Sequence, residues 1–352
     1  MMKILYLYTE VMGYTMATIK ALVEHGAEVH VVHWDHKKLT PYQAPEWPNV
    51  YMYKRSSMTV NDIFHLAQEL SPAITVVSGW QDKGYMSVAR RLCSKGRPVV
   101  TGFDGQWRGT LWQHFAATLG IMGFFTRHYS YAWVAGVYQY EYARRLGFNK
   151  KSIIYDLYSA DVSLWQKTYQ DNRHKKESHY PHRFLFVGRF EAIKGLDILL
   201  EAWQSLGQSK CDWQLHLIGN GSLKAQLHAA SGVIIKDFKQ PDHLVNEIND
   251  AGCFILPSIS EPWGVVVHEF AAAGVPLILS DTVGAASSFL IPGLNGYSFN
   301  ARDPHALARR MRQIIDSSDE ELLSMSVASH QLSQRITPQT SAANLLSIGD
   351  LQ

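Results

Sequence analysis

This 352-residue chain reads as an α/β protein built from two parallel-sheet domains, and three observations carry that reading. Strand-like and helix-like patterns alternate through the first part of the chain. A polar, charged stretch from Gln166 to His182 interrupts them, and the alternation then begins again. Strands separated by helices need crossover connections, which give a parallel sheet covered on both faces. The chain is also longer than one core usually fills.

The elements follow in order. "KILYLY" is a short apolar run bounded by a polar turn, and reads as a buried strand. "TMATIKALVEHG" has helical spacing and stops at Gly26. "EVHVVHW" is the next strand, "VNDIFHLAQELSP" a helix ended by Pro72, "AITVVSG" a strand, "YMSVARRLCSKG" a helix and "PVVTGF" a strand. The stretch "QWRGTLWQHFAATLGIMGFFTRHYSYAW" is dense in aromatic residues and carries Arg108 and Arg127. A buried helix with aromatic packing is the favoured reading. An acceptor groove or a membrane edge is the alternative. Gln166 to His182 has no apolar period and reads as a linker. After it, "RFLFVGRF", "WQLHLIGNG", "CFILPS" and "PLILSD" read as strands, "GLDILLEAWQSLG" as a helix, and "PQTSAANLLSIGDL" as a last helix.

Composition is that of an ordinary globular protein, and a net charge of +2 implies no dedicated nucleic-acid surface. The charge is uneven: roughly +7 up to residue 175 and roughly −5 beyond it. A basic first half suits an anionic partner, and a loose excess of surface lysines accounts for it equally well. Cys93, Cys211 and Cys253 are far apart and read as reduced core residues. The N-terminus lacks a signal-peptide pattern and no apolar run is long enough for a membrane helix, so a cytoplasmic chain is expected. His25, His30, His33 and His36 lie near one another without a metal-ligand motif, and no metal is expected.

Three stretches could carry chemistry. In "FVGRFEAIKGLDILLEAW", Gly188 ends a strand, Arg189 follows, and Lys194 precedes a helix start. Two cations beside a helix N-terminus suit a diphosphate, although a surface Arg and Lys in a loop fit the same residues. In "LIGNGSLKAQL", Gly219 and Gly221 allow close backbone approach to a ligand, or simply a tight turn. In "SEPWGVVVHEFAAAGVP", Glu261 precedes a helix that begins near Gly264, and Glu269 lies about a turn and a half inside it. A carboxylate in so apolar a context needs a polar partner. Sugar hydroxyls would serve, and so would a buried salt bridge to Arg or Lys.

Taken together, "VGRF…KGLDILLEAW", "LIGNG", "PSISEPWGVVVHEFAAAGVPLILSD" and "GLNGYSF" resemble the C-terminal half of the retaining glycosyltransferases of family four, in order and in spacing. The resemblance spans roughly 184–303 and rests on the Glu-x7-Glu motif. A looser likeness in "YEYARRLGFNKKSIIYDLYSADVSLW" places Asp161 at the family's aspartate. The resemblance implies a GT-B fold, with two facing Rossmann-like domains, parallel sheets and an interdomain cleft. The implied domains are 1–165 for the acceptor, 166–182 as linker and 183–335 for the nucleotide-sugar donor. A tail helix over 336–352 would pack back on the first domain. Arg189 and Lys194 would neutralise the diphosphate, Glu269 would bind the ribose and Glu261 the transferred sugar. Gly188, Gly219, Phe238, Gly264, Val265 and Val266 would line the donor.

The first half departs from the family pattern. Only Gly13 stands where many members have a glycine-rich loop, and Asp104 in "GFDGQW" lies where many carry a histidine. Asp104 is a candidate at the reacting sugar, or a turn aspartate before Gly105. The implied activity is retaining transfer of a sugar from a nucleotide-diphosphate sugar to a saccharide or lipid-linked acceptor. It needs no organic cofactor, and peripheral membrane contact would run through the first domain. The rivals are a GT-B nucleotide-sugar epimerase, a phosphorylase lacking its pyridoxal lysine motif, and a non-catalytic sugar-nucleotide-binding or scaffold subunit.

Overall fold

The computed structural model describes residues 1–36, 42, 44–228 and 232–350. The chain divides into two compact units, Met1–Ser159 with Ile336–Gln352, and Ala160–Arg335.

The first unit opens with β1 (Met2–Tyr8), α1 (Gly13–Glu24), β2 (Ala27–His33), β3 (Val50–Lys54), α2 (Val60–Leu70) and β4 (Ile74–Ser78). It continues with α3 (Lys83–Cys93), β5 (Val99–Phe103), α4 (Leu111–Ile121), β6 (Tyr131–Val134), α5 (Val137–Arg145) and β7 (Ile153–Ile154). The strands form one parallel sheet in the order β3-β2-β1-β4-β5-β6-β7. Ile4, Leu5, Leu7, Val76 and Val100 are fully enclosed, because helices cover both faces of these central strands. Strand order reverses between β1 and β4, which makes their carboxyl ends the switch point where ligands sit in such sheets.

The second unit begins with α6 (Val162–Ser178), β8 (Arg183–Val187), α7 (Leu196–Ser205), β9 (Gln214–Ile218), α8 (Lys224–His228), β10 (Val233–Lys236) and α9 (Pro241–Asn249). It ends with β11 (Cys253–Leu256), α10 (Val265–Ala272), β12 (Leu277–Ser280), α11 (Ala286–Phe289), β13 (Gly296–Phe299), α12 (Pro304–Ile315) and α13 (Asp319–Ser333). Its parallel sheet runs β10-β9-β8-β11-β12-β13, with the reversal between β8 and β11. The chain then returns to the first unit as α14 (Pro338–Asp350), packed on α1. Ser341 Oγ donates to the Asp156 carbonyl at 2.6 Å, and Ala342, Leu345 and Ile348 are buried. The last two residues of the expected tail lie outside the described residues.

Three expectations are corrected. The stretch expected as a linker is mostly helix α6, inside the second unit. Its inward face includes Thr168, Asn172 and Lys176, whose stems bury while their polar ends find partners, so no apolar period is visible. Asn172 Nδ2 donates to the Thr168 carbonyl at 2.8 Å, and Lys176 Nζ to the Ala251 carbonyl at 3.1 Å. Burial lowers the Lys176 ammonium to about 8. The aromatic stretch does contain a helix, α4, but its large apolar side chains are exposed rather than buried. Of the cysteines, Cys253 is buried and Cys93 half-buried, but Cys211 is exposed, in a turn with φ of +51°. Among the described residues, no helix is long and apolar enough to cross a membrane.

Candidate functional site

All strands of the second sheet are parallel, so the loops after β8, β9, β10 and β11 leave from one edge. That edge collects Gly188 and Arg189 after β8, Gly219 after β9, Phe238 after β10, and Glu261 after β11. Lys194 lies in the turn between β8 and α7, and Gly264 to Val266 form the start of α10. Glu269 is in the second turn of α10. Gly13 at the start of α1 and Asp104 after β5 belong to the first unit, on the carboxyl side of its own sheet.

Two glycines let the strand ends close up. Gly219 has φ of +157°, and a Cβ there would stand 1.9 Å from the Gly188 carbonyl oxygen. The β8 and β9 turns therefore touch backbone to backbone. Gly195, at φ of +65°, would place a Cβ 2.2 Å from the Pro257 carbonyl oxygen. This presses the turn carrying Lys194 onto the end of β11. The Ile259 N–H donates to the Ile193 carbonyl at 2.9 Å and stitches the same two segments.

The loop after β11 is held from its other side as well. Ser280 Oγ and Thr282 Oγ1 donate to the Ser258 carbonyl at 2.6 and 2.8 Å. The Gly284 N–H donates to the Glu261 carbonyl at 3.1 Å, and the Ala285 N–H to that of Trp263 at 2.9 Å. Glu261 is thus fixed in place. Its carboxylate accepts from Lys194 Nζ and, at 3.2 Å, from Ser258 Oγ.

Glu269 differs in kind. Among the described residues no Arg or Lys pairs with it, so the buried salt bridge open to it in the sequence is not formed. The side chain keeps partial contact with solvent but sits deep enough that burial, reinforced by the Asp161 charge, pushes its carboxyl up to about 7. His268, beside it, is fully buried. Its Nδ1 accepts the Ala160 N–H at 3.0 Å and its Nε2–H donates to the Ser333 carbonyl at 3.0 Å. Burial lowers this imidazole to about 4.

Arg189 is exposed, and its charge helps hold the Glu191 carboxyl below its ordinary range, behind the larger effect of hydrogen bonds from Ser222. Phe238 is half-buried beside Lys236 and Lys239, both of which donate to the Glu247 carboxylate at 2.6–2.8 Å. In the first unit, the Asp104 carbonyl accepts from Gln139 Nε2 at 2.9 Å. The Asp104 charge adds to the burial that raises the Tyr8 and Tyr158 hydroxyls. Ser258, Thr282, His268 and Asp161 complete these surroundings. Of these, the sequence singled out only Asp161. His268 carries one signal that could have found it, as a polar residue inside the apolar run beside Glu269.

The four N-terminal histidines have separate partners. His30, for example, bonds Glu28 at 2.8 Å and Tyr53 at 3.0 Å. Among the described residues, no three His, Cys, Asp or Glu side chains are grouped to hold a metal ion.

Residues 169–329, just under half of the chain, match the family model described as glycosyl transferases group 1. A glycogen synthase from Mycobacterium tuberculosis is 31% identical over 143 residues, 39% of this chain and 34% of that protein. A D-inositol 3-phosphate glycosyltransferase from Corynebacterium urealyticum is 25% identical over 177 residues, 46% of this chain and 41% of that protein. The chain thus matches less than half the length of these relatives. Among solved structures, Anabaena HepE in complex with UDP aligns over 100% of both chains, with a TM-score of 0.72 and 15% identity. Sucrose-phosphate synthase from Thermosynechococcus elongatus aligns over 100% of this chain and 98% of its own, at 0.75 and 16%. The fold is that of these proteins: two Rossmann-like α/β domains of the GT-B type.

Proposed function

We propose that this protein is a retaining glycosyltransferase. It would move a hexose from a uridine-diphosphate sugar to an acceptor hydroxyl, in the assembly of bacterial surface polysaccharide or glycolipid. The observation that carries this reading is the contrast between two acids at one sheet edge. Glu261 is satisfied by Lys194 and Ser258, while among the described residues no cation pairs with Glu269. A deep-set carboxylate of that kind is suited to accept hydrogen bonds from a ligand diol, such as a ribose. The match to glycosyl transferases group 1 over the same segment supports the class, and the UDP complex of a protein with this fold supports the donor base.

In this reading the diphosphate lies between Arg189, Lys194 and the amide end of α10, where Gly264, Val265 and Val266 contribute N–H groups. Charge grows on the leaving phosphate as the anomeric bond breaks. These preorganised cations and dipoles stabilise that charge more than they stabilise the ground state. The acceptor hydroxyl attacks from the leaving group's own face and passes its proton to the departing phosphate oxygen. Gly219, Gly188 and Phe238 line the nucleotide. Glu261 meets the sugar hydroxyls, and Lys194 remains shared between it and the phosphate.

The test is a calorimetric screen against UDP, GDP, ADP and TDP, followed by turnover with the sugar of the nucleotide that binds. UDP is expected to bind, and Glu269→Ala and Arg189→Ala are each expected to weaken binding or turnover about tenfold or more. Normal turnover in either variant removes the site assignment. An inverted anomeric configuration in the product, read by NMR, removes the retaining mechanism.

A further inference from the structure

Helix α4 is turned the opposite way from an ordinary surface helix. Such a helix puts its large apolar residues inward. Here the less exposed positions are Gln113, Ala116, Ala117, Leu119 and Gly120, with Leu119 the one large apolar residue among them. Leu111, Trp112, Phe115, Ile121 and the following Met122 are 54–89% exposed. The arrangement is built in. Thr110 and Gln113 form a capping box at the N-terminus. At the other end, a Cβ on Gly120 would stand 2.5 Å from the Leu146 carbonyl carbon, and one on Gly147 would stand 2.4 Å from the Gly120 oxygen. Backbone-to-backbone contact with the end of α5 therefore fixes the helix as a ridge with its apolar side outward.

The charge around the ridge is mostly basic, the exception being Glu141 of α5, which pairs with Arg145 at 2.9 Å. Residues 105–140 contain no Asp or Glu. Arg108 and Arg127 flank α4, and Arg144, Arg145, Lys150 and Lys151 follow on α5 and the next turn. The Arg145 guanidinium stands 4.9 Å from the Trp107 ring, which packs edge-on against His114 of α4. The apolar ridge and the basic residues are therefore neighbours.

We propose that α4 is an interfacial helix that seats the first unit on an anionic lipid surface, with Leu111, Trp112, Phe115 and Ile121 entering the boundary between headgroups and acyl chains. Exposed Trp, Phe and Leu beside basic residues are the composition of helices that lie in that plane. A second copy of the chain is a poorer occupant. A two-fold interface on this ridge would set the basic flank near its own copy, with almost no acid to answer it. This inference does not depend on the transferase reading.

The experiment is co-sedimentation of the full chain with vesicles of phosphatidylcholine, alone or mixed with phosphatidylglycerol. The wild type is expected to pellet with the anionic vesicles, and less so as salt is raised. A variant carrying Trp112→Ser, Phe115→Ser and Ile121→Ser should lose about tenfold or more of that partition. Because these side chains are exposed, the variant should keep the wild-type melting temperature and nucleotide binding. The proposal is overturned if the wild type does not pellet, if the variant pellets equally, or if neutral vesicles bind as well as anionic ones. A wild-type dimer that the variant dissolves also overturns it, and gives the ridge to a second copy.

Discussion

Lys194 and Glu261, sixty-seven positions apart, form an ion pair in which the ammonium donates to the carboxylate, and both side chains are largely removed from solvent. The pair joins the turn after β8 to the loop after β11, the two strands that flank the switch point of the second sheet. Lys194→Ala should therefore act twice. It leaves the Glu261 carboxylate without its cation, at a cost of about 2 kcal/mol, the lower side for a buried pair because both groups keep some solvent. It should also slow turnover. Adding Glu261→Gln to Lys194→Ala should recover stability but not turnover. Urea unfolding alongside a turnover assay separates the two effects. If Lys194→Ala leaves both unchanged, the pair has no such role.

Glu269 provides a pH prediction. Burial and the Asp161 charge raise its carboxyl to about 7 in the folded protein, against an ordinary 4.5. Between those values the folded state keeps a proton that the unfolded chain has released. Its contribution to stability therefore falls as pH rises from about 4.5 to about 7. Ligand hydroxyls that donate to Glu269 favour its ionised form. Nucleotide affinity should then rise by about tenfold between pH 6 and pH 8. Glu269→Gln should flatten both profiles, and Asp161→Asn should shift them to lower pH. Calorimetric titration across this range decides it, and a wild-type profile identical to that of Glu269→Gln would count against the assignment.

Much of this architecture is legible in the chain because its central strands are enclosed on both faces. "KILYLY" and "CFIL" are unbroken apolar runs, and β1 and β11 lie where those runs predict. Elements that break the rule are less legible, in their existence or in the face they bury. Strand β3 is an edge strand, with Tyr51, Met52 and Lys54 exposed, so it shows neither an apolar run nor a clean alternation. Helix α6 buries Thr168, Asn172 and Lys176, which polarity places outside. Helix α4 exposes Trp112 and Phe115, which polarity places inside. The site was legible as residue types at sheet ends, since Gly188, Arg189 and Glu261 follow strands. Its pairing was not. Only three-dimensional contact shows that Lys194 belongs to Glu261 while, among the described residues, no cation belongs to Glu269.

The contact of Gly219 with Gly188 gives a steric prediction. Alanine at Gly219 would put a Cβ 1.9 Å from a backbone oxygen in a conformation that L residues rarely adopt. Relief requires the β8 and β9 turns to separate, at a cost of about 2 kcal/mol or more. Gly219→Ala should lower the unfolding midpoint and abolish nucleotide binding. Gly188→Ala should be milder for stability, because its new Cβ would meet the Phe186 ring at 3.1 Å rather than backbone. Equal unfolding midpoints for the two variants would remove this account of the turn.

His268 ties together the first and last segments of the second unit. Ala160 stands at the unit's start and Ser333 near its end, and one imidazole bonds both. Its Nδ1 must be unprotonated to accept the Ala160 N–H. Burial agrees with this by lowering the group to about 4 from an ordinary 6.5. The unfolded chain therefore binds a proton that the folded one refuses, and stability should fall as pH drops from about 6.5 to about 4. His216, also lowered to about 4, and His330, lowered by burial, add parallel contributions, so the wild-type slope belongs to all three. His268→Leu breaks both hydrogen bonds and should destabilise the unit at every pH, by about 2 kcal/mol or more for the two orphaned backbone groups. His268→Gln offers a donor and an acceptor on one side chain. It should recover part of that loss and carry a shallower acid slope than the wild type. Thermal unfolding of the three proteins at pH 5 and pH 7.5 makes the comparison. An acid slope in His268→Gln as steep as the wild type's would assign it to His216 and His330 and remove His268 as the acid-sensitive tie.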